Sequence, residues 1–556
     1  MFFQREKRIV RREWLRGTPA FLRGDLQGTS GMRSVLIVIA ASIAISGCSS
    51  FAYYNKPQAD PPANRATFNI RDDRGEKDVL VLLALSGGGS RAAYFSGAVM
   101  LQLQQVFKDL DLLQEVDVIS SVSGGSLPAA YYAISRDRAV RLRGEPPPAL
   151  GEHPKLRYNA GTQELELSGV LTTAEANAAG AAFTDPNHRR QFERLVAQQA
   201  VASNRLWDEP TVKDLMGRNY IGRWFGNLFW PDNILLYWFT AYDRSDILAQ
   251  TFADNLYDVR YKGRDLTFHD INPERPYLIL NATNATEKVE QEDPEFGSVF
   301  TFTDEDFRQR AKSDVDSYLI ARGVMASAAF PVVFNYTTLR NYANDGKRYL
   351  HLFDGGNSDN LGLTSLKRIL LDERVNAPER YRKIIVILVD AYVRPKGVDR
   401  DQADGRCLFC YVFDMNVADA VDSLLEANRD NLLQDFKGHI SVVKDCEKGN
   451  LPADICKEPL SPTLQAQIDK IEHKLFFYHV RFKDSEHKDQ LEKITTDFRI
   501  TDDKDGQPNS VHLDEAAKEL ITGRNECLQR IRRVIKGEET AADAQSESRY
   551  CTWPTR

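Results

Sequence analysis

The sequence predicts an α/β fold with a mainly parallel central sheet. Two observations support this fold class. A strand, a glycine-rich turn and a helix follow one another twice between residues 78 and 135, which is the pattern of a parallel sheet with helices packed on its faces. The first strand, residues 78–85, is the apolar run DVLVLLAL, as expected for a strand that is covered on both faces.

The other elements are predicted from periodicity in the same way. Apolar residues at helical spacing predict a helix over 91–107, and a run of small residues predicts another over 124–135. Further strands are predicted at residues 116–121, 277–281, 349–353 and 383–390.

Two regions depart from this pattern and divide the chain. Residues 137–274 are polar and proline-marked at first and aromatic later, which predicts a large insertion in a main domain of residues 77–395. Residues 396–556 carry six cysteines and charged helical patterns, which predict a C-terminal extension stapled to the core.

The composition excludes several classes of protein. With 556 residues, 42% hydrophobic and 10% aromatic, the chain is globular and is neither fibrous nor disordered. Its formal net charge of −7 gives no field that would attract nucleic acid, which binds to basic faces.

The N-terminal segment resembles a bacterial lipoprotein signal. Residues 35–46 form an apolar run that is too short to span a hydrocarbon core of ~30 Å and is typical of a signal peptide. The run ends in the letters ISGC, similar to a lipobox, in which the cysteine is lipidated. We therefore expect a signal peptide at 32–47, lipid attachment at Cys48 and a tether at 48–76. A buried apolar segment is the alternative.

The residues around this signal indicate its start and its destination. Residues 1–31 are a basic extension ahead of a compact signal, so we expect Met32 to be the true start. Arg11 and Arg12 resemble a twin-arginine export signal, but they lie far from the apolar run. Cys48 is followed by serine, whereas aspartate there is associated with inner-membrane retention. We therefore expect a lipid-anchored protein on the periplasmic face of the outer membrane.

The cysteines of the extension indicate disulfides. An even number in an exported protein suggests three bonds, and proximity favours Cys446–Cys456 and Cys527–Cys551, although the sequence leaves other connectivities open. The CLFC run at 407–410 has the spacing of half a zinc site, but no second such pair follows. We therefore expect no metal.

A glycine-rich turn after the first strand has the features of an anion site. In LSGGGSR, Gly87, Gly88 and Gly89 lie between a predicted strand and a predicted helix, where free N–H groups and the helix dipole attract an anion. A nucleotide phosphate is one candidate anion, but the loop lacks the lysine of a P-loop and the G-x-G-x-x-G spacing of a dinucleotide site. The transient oxyanion of acyl transfer is the other candidate anion. A simple tight turn that binds no anion is the alternative to both.

A second turn carries a candidate nucleophile. In SVSGGS, Ser123 stands at the centre of a nucleophile-elbow pattern, in which a strained strand-to-helix turn exposes the hydroxyl. Ser121 replaces the first glycine of the strict G-x-S-x-G pattern, a departure that a small side chain can tolerate. A helix N-cap is the alternative for a lone match, but the glycine turn upstream favours the nucleophile.

A carboxylate is the best candidate for the base that a serine hydroxyl needs. None of the nine histidines has a setting that indicates this role, including His351 on the strand before Asp354. Asp354 ends that predicted strand in FDGGN, and we place it at the edge where open α/β sheets hold their active sites. An aspartate in a glycine turn is the alternative.

These three motifs together resemble the patatin-like phospholipase family, which has a GGGxR loop, a GxSxG nucleophile and a DGG or DGA base in this chain order. NATNAT at residues 281–286 and VMASAAFP at residues 324–331 are similar to the family as well. The resemblance covers roughly residues 77–395, without the insertion, and implies a patatin-like three-layer fold.

The resemblance also implies a serine acyl hydrolase that cleaves membrane phospholipids or lysophospholipids without a cofactor. The residues carried over by motif are the nucleophile Ser123, the base Asp354, the oxyanion-hole glycines Gly87, Gly88, Gly89 and Gly124, and Arg91, which orients the glycine loop. Two alternatives remain: a non-catalytic envelope lipoprotein that binds a protein or lipid partner, and a thioesterase or protease with the same nucleophile.

An aromatic cluster stands out within the insertion. Seven Trp, Tyr and Phe residues lie between Trp224 and Phe239, among them half of the six tryptophans of the chain. Tryptophan and tyrosine favour membrane interfaces, so the cluster predicts a lid or a docking surface. Core packing beneath the insertion is the alternative.

Overall fold

The computed structural model describes residues 55–58, 78–142, 153–201, 203–240, 242–257, 264–286, 295–330, 334–343, 348–372, 380–392, 428–491, 494, 500, 502, 506–540, 543 and 549–553. The expected signal peptide, the lipidation site Cys48, most of the tether and the CLFC pair lie outside the described residues.

A mixed sheet of nine strands forms the centre of the main domain, in the order β10-β11-β7-β3-β2-β12-β13-β14, with β8 paired to β7. The strands of the protein are β1 Lys56–Pro57, β2 Val79–Leu85, β3 Val118–Val122, β4 Ala139–Arg141, β5 Leu156–Asn159, β6 Glu164–Leu167, β7 Tyr277–Asn284, β8 Val299–Thr301, β9 Ser313–Asp314, β10 Thr337–Arg340, β11 Tyr349–Asp354, β12 Lys383–Asp390, β13 Leu475–Arg481 and β14 Tyr550–Cys551. From β7 to β14 all neighbours on this path are parallel, whereas β8, β10 and β11 pair in antiparallel fashion. The predicted α/β class with a mainly parallel sheet is confirmed.

Helices cover both faces of this sheet. The first helices are α1 Gly89–Gln105, α2 Ser126–Ile134, α3 Thr173–Ala181, α4 Pro186–Ala197, α5 Glu209–Met216, α6 Tyr220–Leu228, α7 Pro231–Phe239 and α8 Arg244–Phe252. The later ones are α9 Asp304–Arg310, α10 Ile320–Ser327, α11 Gly356–Asp359, α12 Leu363–Leu371, α13 Val443–Glu447, α14 Ala453–Cys456, α15 Pro462–Lys474, α16 Lys488–Leu491, α17 Asn509–Leu520 and α18 Glu526–Lys536. The odd-numbered residues of β2 belong to one apolar cluster and its buried even-numbered leucines and alanine to another, which gives the expected three layers.

The region that the sequence sets apart as an insertion contains two different parts. Strands β4, β5 and β6 form a small antiparallel sheet that shares its own apolar core with α3 and α4. Helices α5 and α8 instead bury residues such as Val212 and Leu248 in the main core. The chain enters and leaves the small unit at adjacent points. The Arg136 N–H donates to the Arg205 carbonyl at 3.0 Å.

The cysteine-bearing extension is built into the main sheet. Strand β13 pairs with β12 along its whole length, and β14 continues the sheet beyond it. Disulfides join Cys446 to Cys456 and Cys527 to Cys551, so both favoured pairings are confirmed. Among the described residues, no helix combines the length and the apolar composition that crossing a bilayer requires.

Candidate active site

Ser123 lies on a strained turn between β3 and α2. Strand β3 ends at Val122, and Ser123 has a φ of 48°, one of three positive values among the described residues other than glycine. A short 3₁₀ turn over Ser123–Gly125 then leads into α2. The sharp change of direction presents the Ser123 hydroxyl at the carboxyl edge of the parallel strands, as in a nucleophile elbow.

Asp354 meets Ser123 across the sheet. The Ser123 hydroxyl donates a hydrogen bond to Asp354 Oδ2 at 2.8 Å, although the two residues lie 231 positions apart. In the sheet register, Val122 pairs with Asn281 and Asp354 pairs with Ala282. The last residues of β3 and β11 therefore lie beside adjacent positions of β7.

The direction of β11 differs from the one that the sequence argument assumed. Placing Asp354 at the carboxyl edge required β11 to run with the parallel strands, but β11 pairs with β7 in antiparallel fashion. Asp354 reaches Ser123 because β7 continues to Asn284, beyond the end of β3, and so provides a partner for β11 there.

Burial gives the Asp354 carboxyl the properties of a base. Asp354 is buried, and its loss of contact with water raises its pKa to about 6, against the opposing effect of hydrogen bonds from the Gly356 N–H and the Ser123 hydroxyl. The Gly356 bond to Oδ1 is 2.8 Å long and fixes the carboxyl plane, which leaves Oδ2 for Ser123. A carboxyl with this pKa is ionised at neutral pH and accepts a proton more readily than an exposed aspartate.

Close approach explains the glycines of the two turns. A Cβ atom on Gly124 would lie 2.0 Å from the Gly89 carbonyl oxygen, and one on Gly87 would lie 2.2 Å from Asn360 Oδ1. Gly88 and Gly89 also have positive φ values of 138° and 59°, a region open to glycine and costly for other residues. The two glycine turns therefore touch, and a side chain at Gly124 would separate them.

Three N–H groups beside Ser123 are candidates for an oxyanion hole. Those of Gly88, Gly89 and Gly124 donate to no acceptor within the described part of the chain. The Gly87 N–H, in contrast, donates to the Asn360 carbonyl at 3.0 Å. Gly87, expected from the sequence to be a donor, is therefore occupied and serves to let Asn360 approach.

Ser327 is a residue of the site that the sequence motifs did not identify. Its hydroxyl accepts the Ser123 N–H at 2.9 Å and bonds to the Ser126 hydroxyl at the same distance. The Gly355 N–H also donates to the Ser327 carbonyl at 3.1 Å. The end of α10 thus holds the nucleophile turn and the turn after the aspartate together. In the sequence, Ser327 is marked only by the MASAA segment at residues 325–329, in which it is one small residue among several.

A family model described as patatin-like phospholipase matches residues 83–143 and 176–367. These ranges include Ser123, Asp354 and both glycine turns. The chain carries a patatin-like phospholipase domain. Between the two ranges, strands β5 and β6 of the small unit are unmatched, whereas its β4 and α4 lie within the matched residues.

Two solved structures resemble the chain at low identity. Human GIVD cytosolic phospholipase A2 is 11% identical, with a TM-score of 0.28, over 57% of this chain and 44% of that one. VipD from Legionella pneumophila is 13% identical, with a TM-score of 0.27, over 83% of this chain and 67% of that one. The chain therefore spans less than half of the human structure. No curated protein sequence matches the chain significantly.

Arg91 connects the glycine loop of the patatin-like domain to the C-terminal extension. Its guanidinium donates to the Ile494 carbonyl at 2.8 Å and lies 6.0 Å from the centre of the Phe482 ring. Because Arg91 is in the first turn of α1, these contacts fix the helix whose N-terminus faces Ser123. The position is compatible with the expected orienting role.

Two histidines on strands of the main sheet, His351 on β11 and His479 on β13, contact partners other than Ser123. His351 Nδ1 lies 3.1 Å from Thr338 Oγ1. His479 is buried beside Asp390, with Nε2 2.8 Å from Oδ2, and burial lowers its pKa to about 4. Within the described residues, the Ser123 hydroxyl has a carboxylate partner and no histidine partner.

Proposed function

We propose that the protein is a serine acyl hydrolase that cleaves ester bonds of phospholipids or lysophospholipids, with Ser123 as nucleophile and Asp354 as base. The 2.8 Å hydrogen bond from the Ser123 hydroxyl to the buried Asp354 carboxyl carries the proposal. The patatin-like domain supports the lipid acyl substrate class.

In the first half of the reaction, the Ser123 hydroxyl oxygen attacks the ester carbonyl carbon as its proton passes to Asp354 Oδ2. The carbonyl oxygen becomes an oxyanion, which the N–H groups of Gly88, Gly89 and Gly124 can stabilise. When the tetrahedral intermediate collapses, the bond to the alcohol breaks and Asp354 returns the proton to the leaving oxygen.

In the second half, water replaces the alcohol. Asp354 accepts a proton from the water molecule as the water oxygen attacks the acyl carbon. When this second intermediate collapses, the bond between the acyl carbon and Ser123 Oγ breaks, Asp354 returns the proton to Oγ, and the fatty acid leaves. A base with a pKa of about 6 provides only a modest driving force. The donors must therefore supply much of the acceleration, at about 3 to 4 kcal/mol for each oxyanion donor in hydrolases.

The test is the ester hydrolysis activity of variants at Ser123 and Asp354, compared with a control variant at another buried serine. Ser123→Ala and Asp354→Asn are each expected to abolish hydrolysis of a phospholipid and a lysophospholipid, and Ser123→Ala to abolish labelling by a fluorophosphonate. Ser96→Ala is the control, because Ser96 is buried on α1 and its hydroxyl bonds to nothing in the described part of the chain. Full turnover by folded Ser123→Ala or Asp354→Asn protein would remove the assignment.

We also propose that the mature protein is anchored by lipid at Cys48 to the periplasmic face of the outer membrane. The ISGC run after an apolar segment supports this placement. Multiple acyl chains, at about 0.8 kcal/mol for each buried methylene, would hold the domain beside its substrate. Mass spectrometry of the mature N-terminus should find acylated Cys48, and Cys48→Ala should abolish the modification. An unmodified N-terminus upstream of Cys48 would contradict the anchor.

A further inference from the structure

The hairpin of α6 and α7, residues 220–239 and here called the aromatic hairpin, has an unusually apolar surface. The described part of the chain has 13 exposed large hydrophobic side chains, and eight of them belong to this hairpin. The eight are Phe225, Phe229, Trp230, Ile234, Leu235, Tyr237, Trp238 and Phe239. So many exposed apolar side chains in one short segment mark an interaction site, and together they are here called the exposed face of the hairpin.

The exposed face is not part of the core. Tyr220 and Trp224 are the buried residues of α6, whereas α7 has none. Phe229 is 65% exposed and Trp238 is 73% exposed. The core-packing alternative therefore holds for Trp224 alone among the seven aromatics of the cluster.

The hairpin is fixed to the main domain by its buried side. The Trp224 indole N–H donates to the Arg244 carbonyl at 2.9 Å, and its ring packs at 5.2 Å, edge to face, on Phe334. Arg244 and Ser245 in turn bond to Asn335, at 2.9 and 2.7 Å. These contacts give the exposed face a defined orientation.

The same contacts lead to the active site. Arg322 of α10 pairs with Asp246 of α8 at 2.6 Å, and both side chains are mostly buried. Helix α10 ends at Ser327, which holds the Ser123 turn. The aromatic hairpin and the nucleophile are therefore attached to the same rigid element.

The chemistry of the face fits a lipid bilayer. Tryptophan and tyrosine favour the boundary between headgroups and acyl chains, and phenylalanine and leucine favour the region just below it. The charged residues of the hairpin are Arg223 and Asp232, so the face does not share the net negative charge of the chain. Anionic headgroups would therefore not repel it.

We propose that the aromatic hairpin inserts into the interfacial layer of a phospholipid bilayer and holds the Ser123 site against it. The identity of the bilayer as the substrate rests on the proposed function, but insertion itself does not require hydrolysis. Insertion is also separate from the lipid anchor, because an anchor restrains the domain without orienting it.

Depth-dependent quenching of tryptophan fluorescence tests the insertion. Full-length Ser123→Ala protein, which leaves the lipid intact, is reconstituted into vesicles of phosphatidylethanolamine and phosphatidylglycerol with brominated acyl chains. We expect strong quenching that is mostly lost when Trp230 and Trp238 are both replaced by phenylalanine. The matched control is Trp553→Phe, because Trp553 packs against the main core. That variant should keep the quenching.

Hydrolysis of two substrates gives a second readout in protein with intact Ser123. Phe229→Ser combined with Trp238→Ser should lower hydrolysis of vesicle phospholipid several-fold and leave hydrolysis of a short water-soluble ester unchanged. Leu460→Ser is the control, since Leu460 is exposed outside the hairpin.

The outcomes separate this inference from the proposed function. Quenching in the Ser123→Ala protein, together with no hydrolysis of either substrate by the protein with intact Ser123, would support insertion and overturn the hydrolase. Hydrolysis without quenching of Trp230 and Trp238 would overturn insertion alone. Self-association that disappears in the hairpin variants, with no quenching, would make the hairpin an interface between copies and would also overturn it.

Discussion

At the scale of single residues, the buried carboxyl of Asp354 sets the expected pH dependence of hydrolysis. The base must be ionised to accept the Ser123 proton, and burial raises its pKa to about 6. We expect kcat/KM for an uncharged ester to rise with pH with a midpoint near 6 and to become level at higher pH. A profile whose midpoint lies near 4, the value of an exposed aspartate, would show that Asp354 is not the base.

The same burial predicts that the base lowers the stability of the fold. The folded pKa of about 6 exceeds the model-peptide value of 3.8, so the free energy of unfolding falls as pH rises through this interval and stays lower above it. Asparagine can accept from the Gly356 N–H and donate to Ser123 without a buried charge. We expect Asp354→Asn to raise the free energy of unfolding by about 2 to 3 kcal/mol above pH 6, at about 1.4 kcal/mol per pKa unit, and to change it little below pH 4. Denaturant unfolding of both proteins above pH 6 and below pH 4 measures this difference. An equal change in the two pH ranges would contradict the charge argument.

At the scale of elements, the contact between the two glycine turns is the most sensitive part of the site. A methyl group on Gly124 would meet the Gly89 carbonyl at 2.0 Å, and backbone must move to relieve it. We expect Gly124→Ala to lower kcat at least as much as the loss of an oxyanion donor does, on the order of 10²-fold to 10³-fold. Gly226→Ala is the control, because a Cβ there meets nothing within 4 Å and alanine favours the helix. Equal activity in the two variants would mean that the turns do not act together.

The elements and residues that sequence reasoning recovered are those with a local signal. The parallel strands that carry the glycine loop and Ser123 have an apolar run followed by glycines, and Asp354 has its own glycine turn. Ser327 contacts Ser123 across 204 positions, and no local pattern marks such a pair. The antiparallel direction of β11 could not be predicted from the sequence either, because it depends on the pairing with β7 and not on the residues of β11 itself. Strand β13 was not predicted, since LFFYHVR lies in a region that charge and cysteines had set apart.

At the scale of the whole molecule, the C-terminal extension is expected to be necessary for the patatin-like domain to fold. Strand β13 covers the edge of β12, α17 packs on α1, and Arg91 reaches Ile494. A chain that ends after Tyr392 would expose the whole edge of a buried strand, which favours aggregation. We expect it to be insoluble, or soluble without cooperative unfolding, as measured by soluble yield and thermal melting. A soluble, cooperatively folded and fluorophosphonate-reactive product would show that the extension is dispensable.

The small unit of β4, β5 and β6 should behave in the opposite way, although its β5 and β6 also lie outside the family match. Its core is separate, and its ends are adjacent because the Arg136 N–H bonds to the Arg205 carbonyl and the Trp207 N–H to the Arg136 carbonyl, each at 3.0 Å. A short glycine-serine linker in place of residues 139–202 can therefore join the same two ends of the main domain.

This deletion removes the bond from Gln198 to Asp137 and the ion pair of Arg194 with Glu274 at 3.2 Å, but Asp137 keeps its ion pair with Arg275 at 2.8 Å. We expect the deletion variant to unfold cooperatively, to melt within a few degrees of the parent protein, and to keep its reactivity toward a fluorophosphonate. Loss of a cooperative transition would mean that the small unit contributes to the main core. A folded variant that no longer reacts would instead give the unit a part in forming the site, because the deletion leaves Ser123, Asp354 and both glycine turns in the chain.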